Sequence, residues 1–120
     1  MSLRTAIIKY ADNKYQAKPD FPWAKFPDYT VLRHQGSDKW FALIMNVPRD
    51  KLGLKGGGEV DVINVKCRPE LVGSLRMKEG FLPAYHMNKE HWLTVLLDNT
   101  VPEKEIYELI DDSYELTTHD

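Results

Sequence analysis

Two periods of apolar residues run along this chain. In residues 3–15, LRTAIIKYADNKY, the side chains Leu3, Ala6, Ile7, Tyr10 and Ala11 fall at helical spacing, with Lys9 and Lys14 elsewhere. That pattern predicts an amphipathic first helix. Residues 29–35, YTVLRHQ, and 39–47, KWFALIMNV, are rich in β-branched and aromatic residues around the turn sequence GSD. They predict a hairpin. Val60, Val62 and Val65 mark a third strand over 60–67, with an irregularity near Ile63-Asn64. RPELVGSLRMKEG predicts a second helix, with Pro69 at its first position, Gly80 as its C-cap, and Leu71, Val72 and Leu75 facing inward. PAYHM and HWLTVLLD read as two strands around the tip NKE. Thr100-Val101-Pro102-Glu103 fits a capping box, followed by Ile106, Leu109, Ile110 and Tyr114 on one helical face.

The connections complete the pattern. QAKPDFPWAKFPDYT contains Pro19, Pro22 and Pro27, which donate no backbone hydrogen bonds. It predicts a loop wrapped over the core and pinned by Phe21, Trp23 and Phe26. PRDKLGLKGGGE (48–59) predicts a mobile loop. The order is helix, three strands, helix, two strands, helix (α-β-β-β-α-β-β-α). Short turns between consecutive strands imply a mostly antiparallel sheet, and one layer of helices on one face gives a two-layer α+β domain. Its 120 residues without an internal repeat predict a single domain over 1–120.

Composition narrows the class. With 42% hydrophobic, 28% charged and 11% aromatic residues, the chain reads as an ordered globule rather than a disordered tail. The apolar run FALIM at 41–45 is far shorter than the about 20 residues a membrane-spanning helix needs. No cationic segment followed by an apolar one opens the chain, so secretion is not expected. The opening Met-Ser-Leu is given no structural role. The one cysteine, Cys67, excludes an internal disulfide and suits a reducing cytoplasm. Net charge is −2, but it is unevenly spread. Residues 98–120 hold Asp98, Glu103, Glu105, Glu108, Asp111, Asp112, Glu115 and Asp120 against Lys104 alone, a balance of −7, and residues 1–97 carry +5. A basic body that meets an anion needs the acidic last helix to face away.

Candidate chemistry concentrates in PAYHMNKEHW, residues 83–92. His86 and His91 are five apart, about 140° around a helix and on opposite faces of a strand. No HExxH motif or Cys/His ligand set accompanies them, so neither a metal nor a cofactor is expected. Cys67 lies between Lys66 and Arg68 before a helix start, a setting that favours thiolate, although a free cysteine is more often buried and inert. Ser37, Ser74 and Ser113 sit in no nucleophile elbow. The glycines of LKGGGEV follow a loop and precede a strand, the reverse of a phosphate loop; with Lys51 and Lys55 beside them they read as a wing against a nucleic-acid backbone or as an idle surface loop. Asn88-Lys89 suits a tight turn at positive φ. Around it crowd Tyr85, His86, His91 and Trp92. Such a set fits base edges, phosphates and stacked bases. It fits equally a solvated tip with Tyr85 and Trp92 in the core, and the residues alone favour that plainer reading.

The stretches KWFALIMNV, NVKCRPELVGSLR, LPAYHMNKEHWLTVLLD and ELIDDSYELT resemble the YjbR/MmcQ family, from about the first helix to Leu116. The resemblance implies a CyaY-like fold, a topology also likened to secretion chaperones. It further implies a DNA-binding label, drawn from comparison of the sheet with a double-wing motif, and brings no catalytic residues. Three functions follow. The first is a non-enzymatic DNA-binding module using Lys55, Lys66, Arg68, Tyr85, His86, Asn88, Lys89, His91 and Trp92. The second is a protein-interaction or chaperone-like adaptor, monomer or homodimer, with an exposed sheet edge or apolar patch. The third is an enzyme or redox protein built on Cys67. The mildly acidic total counts against a dedicated DNA binder, and the +5 body counts for one.

Overall fold

The computed structural model describes residues 2–118; Asp120, counted above among the C-terminal acids, lies outside them. The elements run α1 (Leu3–Tyr15), β1 (Thr30–Arg33), β2 (Trp40–Pro48), a 3-10 turn (Arg49–Leu52), β3 (Glu59–Lys66), α2 (Pro69–Arg76), β4 (Phe81–Pro83), β5 (Trp92–Leu96) and α3 (Glu103–Thr118). Every strand pairs antiparallel, and the sheet order is β1-β2-β3-β5-β4. The fold is therefore α+β, with three α-helices and a five-stranded antiparallel sheet among the described residues. None of the helices is long and apolar enough to cross a membrane, among the described residues.

Alternation along the strands divides the core in two. Ala42, Ile44, Ile63, Val65, Leu93 and Val95 face the helices and meet Ile7 and Ala11 of α1, Val72 of α2, and Ile106 and Ile110 of α3. Leu43, Met45, Val47, Val60, Val62 and Leu96 face the other way, where loops rather than helices cover them. Both faces of β3 are thus buried. That is why Val62, Ile63, Asn64 and Val65 in succession are shielded. The irregularity expected at Ile63-Asn64 is absent, since β3 pairs with β2 in unbroken register from Val65 to Glu59. The register shift lies instead between Leu32 and Arg33 of β1.

Several boundaries depart from the sequence reading for local reasons. Ser2, to which the sequence reading gave no weight, accepts a hydrogen bond from the Thr5 amide and caps α1. α2 stops at Arg76, before Gly80. Gly80 sits at φ +91°, and a Cβ there would stand 2.6 Å from Val101 Cγ2, so close approach and backbone conformation both require glycine. α3 begins at Glu103, two residues later than a capping box on Thr100 needs; the Glu103 carboxylate instead accepts from the Tyr107 hydroxyl. The 48–59 segment is ordered by its 3-10 turn and by Arg49, whose amide donates to Gly58 O and whose Nε donates to Lys55 O. Of the three expected pins in the proline-rich loop, only Trp23 is tucked in; Phe21 and Phe26 are exposed.

α3 is tied to the sheet by buried polar side chains. The β2–β3 ladder ends at Ala42–Val65. One step further, Ser113 Oγ stands between the strands: the Lys66 amide donates to it at 2.8 Å, and it donates to Phe41 O at 2.6 Å. One turn on, Thr117 Oγ1 lies 2.7 Å from His34 Nε2 and donates to Ser113 O. The His34 ring stacks on Tyr114 at 4.1 Å, and Tyr114 on Tyr15 at 3.8 Å. Asp111 receives hydrogen bonds from Tyr10, Lys14 and Tyr15 of α1. Burial pushes its carboxyl up, but these donors outweigh burial and hold it below the usual carboxylate value.

Two outcomes are expected. Ser113→Ala strands a buried amide and a buried carbonyl, and should lower unfolding free energy by roughly 2 kcal/mol, with faster amide exchange at Lys66. Ser74→Ala, on the exposed face of α2, should change little; equal urea midpoints for the two variants would refute the relay. Second, burial first, and then the charge of Lys39, lower the His34 pKa from its ordinary 6.5. A depressed folded-state value means that the unfolded chain binds the proton first. The stability it contributes is therefore present above about pH 6.5 and lost as pH falls below it. An NMR titration should place the His34 ring below the ordinary value, and a midpoint at or above 6.5 would contradict this.

Candidate functional site

The 83–92 stretch is not a pair of strands around the three-residue tip NKE. β4 ends at Pro83 and β5 begins at Trp92, leaving an eight-residue loop over 84–91. A buried latch beneath the sheet surface holds it. Asn64, fully buried in β3, donates from Nδ2 to Tyr85 O at 2.9 Å, and Thr94 Oγ1 donates to Asn64 Oδ1. The Tyr85 amide in turn donates to Thr94 Oγ1 at 2.9 Å. The positive φ expected at Asn88 falls on His86, at 61°. Asn88 acts through its side chain: Oδ1 accepts from the Glu90 amide at 2.8 Å and the His91 amide at 3.1 Å. His91 O then accepts from the Cys67 amide at 2.8 Å, joining the loop to the start of α2. The result is a built loop with His86, Lys89 and His91 exposed, and Tyr85 and Trp92 half-buried.

The candidate cations divide: Lys66 and Arg68 flank Cys67, whose amide bonds to His91 of this loop, whereas Lys55 is remote from it. β3 runs from Glu59 to Lys66, so its ends are about 23 Å apart at 3.3 Å per residue. Lys55 lies in the glycine loop beyond the Glu59 end, whereas Lys66 pairs with Trp92 at the end that carries the 84–91 loop. Lys66 and Arg68 line a cavity of about 550 Å³ between α2 and α3, and its far wall carries Asp112 and Glu115. The expectation that the acidic helix faces away from the cations is therefore not met at these two positions. The charge asymmetry of the sequence is folded back on itself, because α3 packs across the sheet end where β3 finishes.

Cys67 forms part of the helix-side core, with 7% of its surface exposed. Burial pushes its thiol up, and the opposing Arg68 contributions, a backbone hydrogen bond and the guanidinium charge, are smaller. Flanking cations in the sequence do not make a thiolate where desolvation outweighs them. No group of three or more His, Cys, Asp or Glu side chains able to hold a metal occurs among the described residues.

The structure shows a feature that the sequence reading missed. On the helix-free face, an apolar groove of about 270 Å³ opens over Leu43 and Met45 of β2. The proline-rich loop supplies Trp23, Phe26 and Tyr29, β2 supplies Trp40, and the 84–91 loop closes it with His86 and Met87. Trp23 stands nearly perpendicular to both Trp40 (5.6 Å, 83°) and Tyr29 (6.1 Å, 81°), and Phe26 stacks on Tyr29 at 4.7 Å. Arg33, paired with Asp20 at 3.0 Å, covers the Trp40 ring at 5.4 Å. Four aromatics, Phe21, Trp23, Phe26 and Tyr29, interleaved with Pro22 and Pro27 were the available signal; which of them stay uncovered depends on tertiary contacts.

Comparison with known proteins follows this geometry. A family model described as YjbR matches residues 12–116. An uncharacterised Bacillus subtilis (strain 168) protein, YyaQ, is 51% identical over 117 residues, covering 98% of this chain and 99% of its own. Escherichia coli (strain K12) YjbR, also uncharacterised, is 31% identical over 82% of this chain and 76% of its own. A Pseudomonas syringae crystal structure superposes with TM-score 0.92 at 59% identity, covering 95% of this chain and 97% of that one.

Native Cys67 should react with a soluble alkylating reagent only above the ordinary thiol pKa, and far more slowly than in urea-unfolded chain. Fast native alkylation near neutral pH would revive a nucleophilic role.

Proposed function

We propose, from the premise that this chain belongs to the YjbR family, that it is a non-enzymatic, cytoplasmic binding module. Its helix-free sheet face receives an apolar side chain of a protein partner. The observation that carries this reading is the aromatic groove between the proline-rich loop and the 84–91 loop, with Phe26 50% exposed at its lip. Its about 270 Å³ falls below the roughly 300–1,000 Å³ of typical small-molecule sites and suits one inserted side chain. Half-exposed aromatics around an apolar floor are also the residue types that dominate binding energy at protein interfaces. A single thiol that is buried and unpaired fits a reducing compartment.

DNA binding is the second reading, supported by the exposure of His86, Lys89 and His91 on one rigidly held loop. It is the weaker of the two, because Lys55 stands at the opposite sheet end and Lys66 and Arg68 share their cavity with two carboxylates. Phosphate recognition needs cations whose field is not already opposed.

A displayed-peptide selection separates the readings. Peptides with a single aromatic or aliphatic anchor should be enriched, and Phe26→Asp should weaken them at least roughly tenfold at unchanged melting temperature. Polar binders, or binders indifferent to Phe26→Asp, would reject the groove. In parallel, affinity for duplex DNA should be absent or nearly independent of salt. A log–log slope near −0.9 per phosphate contact, reduced by one contact in Lys89→Ala, would instead establish the nucleic-acid reading.

A further inference from the structure

The cavity between α2 and α3 lies on the helix layer, the opposite side of the sheet from the aromatic groove, and carries an inference independent of it. Its α2 wall presents Leu71, 47% exposed, and Leu75; its α3 wall presents Leu109 and Leu116. Two basic groups, Lys66 and Arg68, border one wall, and the acids Asp112 and Glu115 border the other. Among the described residues Arg68, Asp112 and Glu115 enter no ion pair, although the chain pairs Arg4, Lys14, Lys18, Arg33 and Lys78. Leucines kept partly in water beside uncommitted charges of both signs are the makings of an interface.

The arrangement of charge selects the occupant. A purely acidic partner would meet Asp112 and Glu115, and a purely basic one would meet Arg68. A surface bearing both signs in reversed order satisfies both walls, and a two-fold rotated copy of this same groove supplies it, with leucine stripe against leucine stripe. We propose that the α2–α3 groove is a self-complementary homodimer interface, in which Arg68 of each copy faces Asp112 and Glu115 of the other.

The test is a charge exchange read by sedimentation equilibrium and light scattering. Wild-type chain should show a concentration-dependent dimer. Arg68→Glu alone places acid against acid at both ends of the two-fold, and Glu115→Arg alone places base against base. Each should weaken the dimer at least roughly tenfold while leaving the melting temperature of dilute protein unchanged. An equimolar mixture of the two variants restores opposite charge at both ends and should recover a heterodimer of near wild-type affinity. Charges acting only within one chain would leave the mixture monomeric, and that result overturns the proposal. So does a wild-type chain that stays monomeric at every concentration, or a dimer that both substitutions leave intact, which would place the interface elsewhere. The aromatic groove is untouched by either substitution, so failure here leaves the peptide selection unaffected.

Discussion

The hydroxyl of Ser113 takes the place of a strand-to-strand hydrogen bond. It sits between the Phe41 carbonyl and the Lys66 amide where the β2–β3 ladder would otherwise continue, and it belongs to a helix. One side chain therefore fixes how far α3 slides along the sheet, where the two central strands part, and where β3 hands over to α2. One turn further on, Thr117 adds a side-chain hydrogen bond to His34, just past the end of β1. Such contacts are directional, whereas apolar burial is not, so they set register in a helix layer that hydrophobicity alone would leave free to slip.

A second buried polar set does the same for the other face. Asn64 and Thr94 reach up through adjacent strands and hold the backbone of Tyr85, which aims His86 and Met87 at the aromatic groove. The family-like blocks of the sequence thus acquire physical meaning. The NVKC block carries the latch, the YHMNK block is the loop it holds, and the SYELT block carries the relay. Asn88 is spent on its own turn rather than held out to a ligand.

The helices α1 and α3 were legible from the chain because each has an apolar stripe at helical spacing, and β2 because it is a run of apolar and aromatic residues buried on both faces. The hairpin over 83–92 differs from the reading of PAYHM as a strand because its determinant, Asn64, lies 21 residues before Tyr85, amid the buried apolar residues of β3. A fully buried asparagine demands partners, and that demand was the readable sign that something packs over β3. Ser113 and Thr117 look unremarkable on a helix until the strands they bridge are in place. The charge prediction failed for a related reason: net charge by segment says nothing about which helix end the cations finish beside. Cys67 shows the same limit, since neighbours in sequence favour thiolate and neighbours in space desolvate it.

Both margins of the sheet are closed to further strands. Along β1, the Asp20 backbone exchanges hydrogen bonds with Val31 in an isolated bridge, so a stretch of the proline-rich loop already occupies that border. Along the opposite border, β4 is three residues long and finishes on Pro83, which offers no donor. A sheet this apolar on both faces would otherwise template runaway stacking of chains at high concentration. Here the addition of a further strand is opposed at each flank, which lets both sheet faces be apolar.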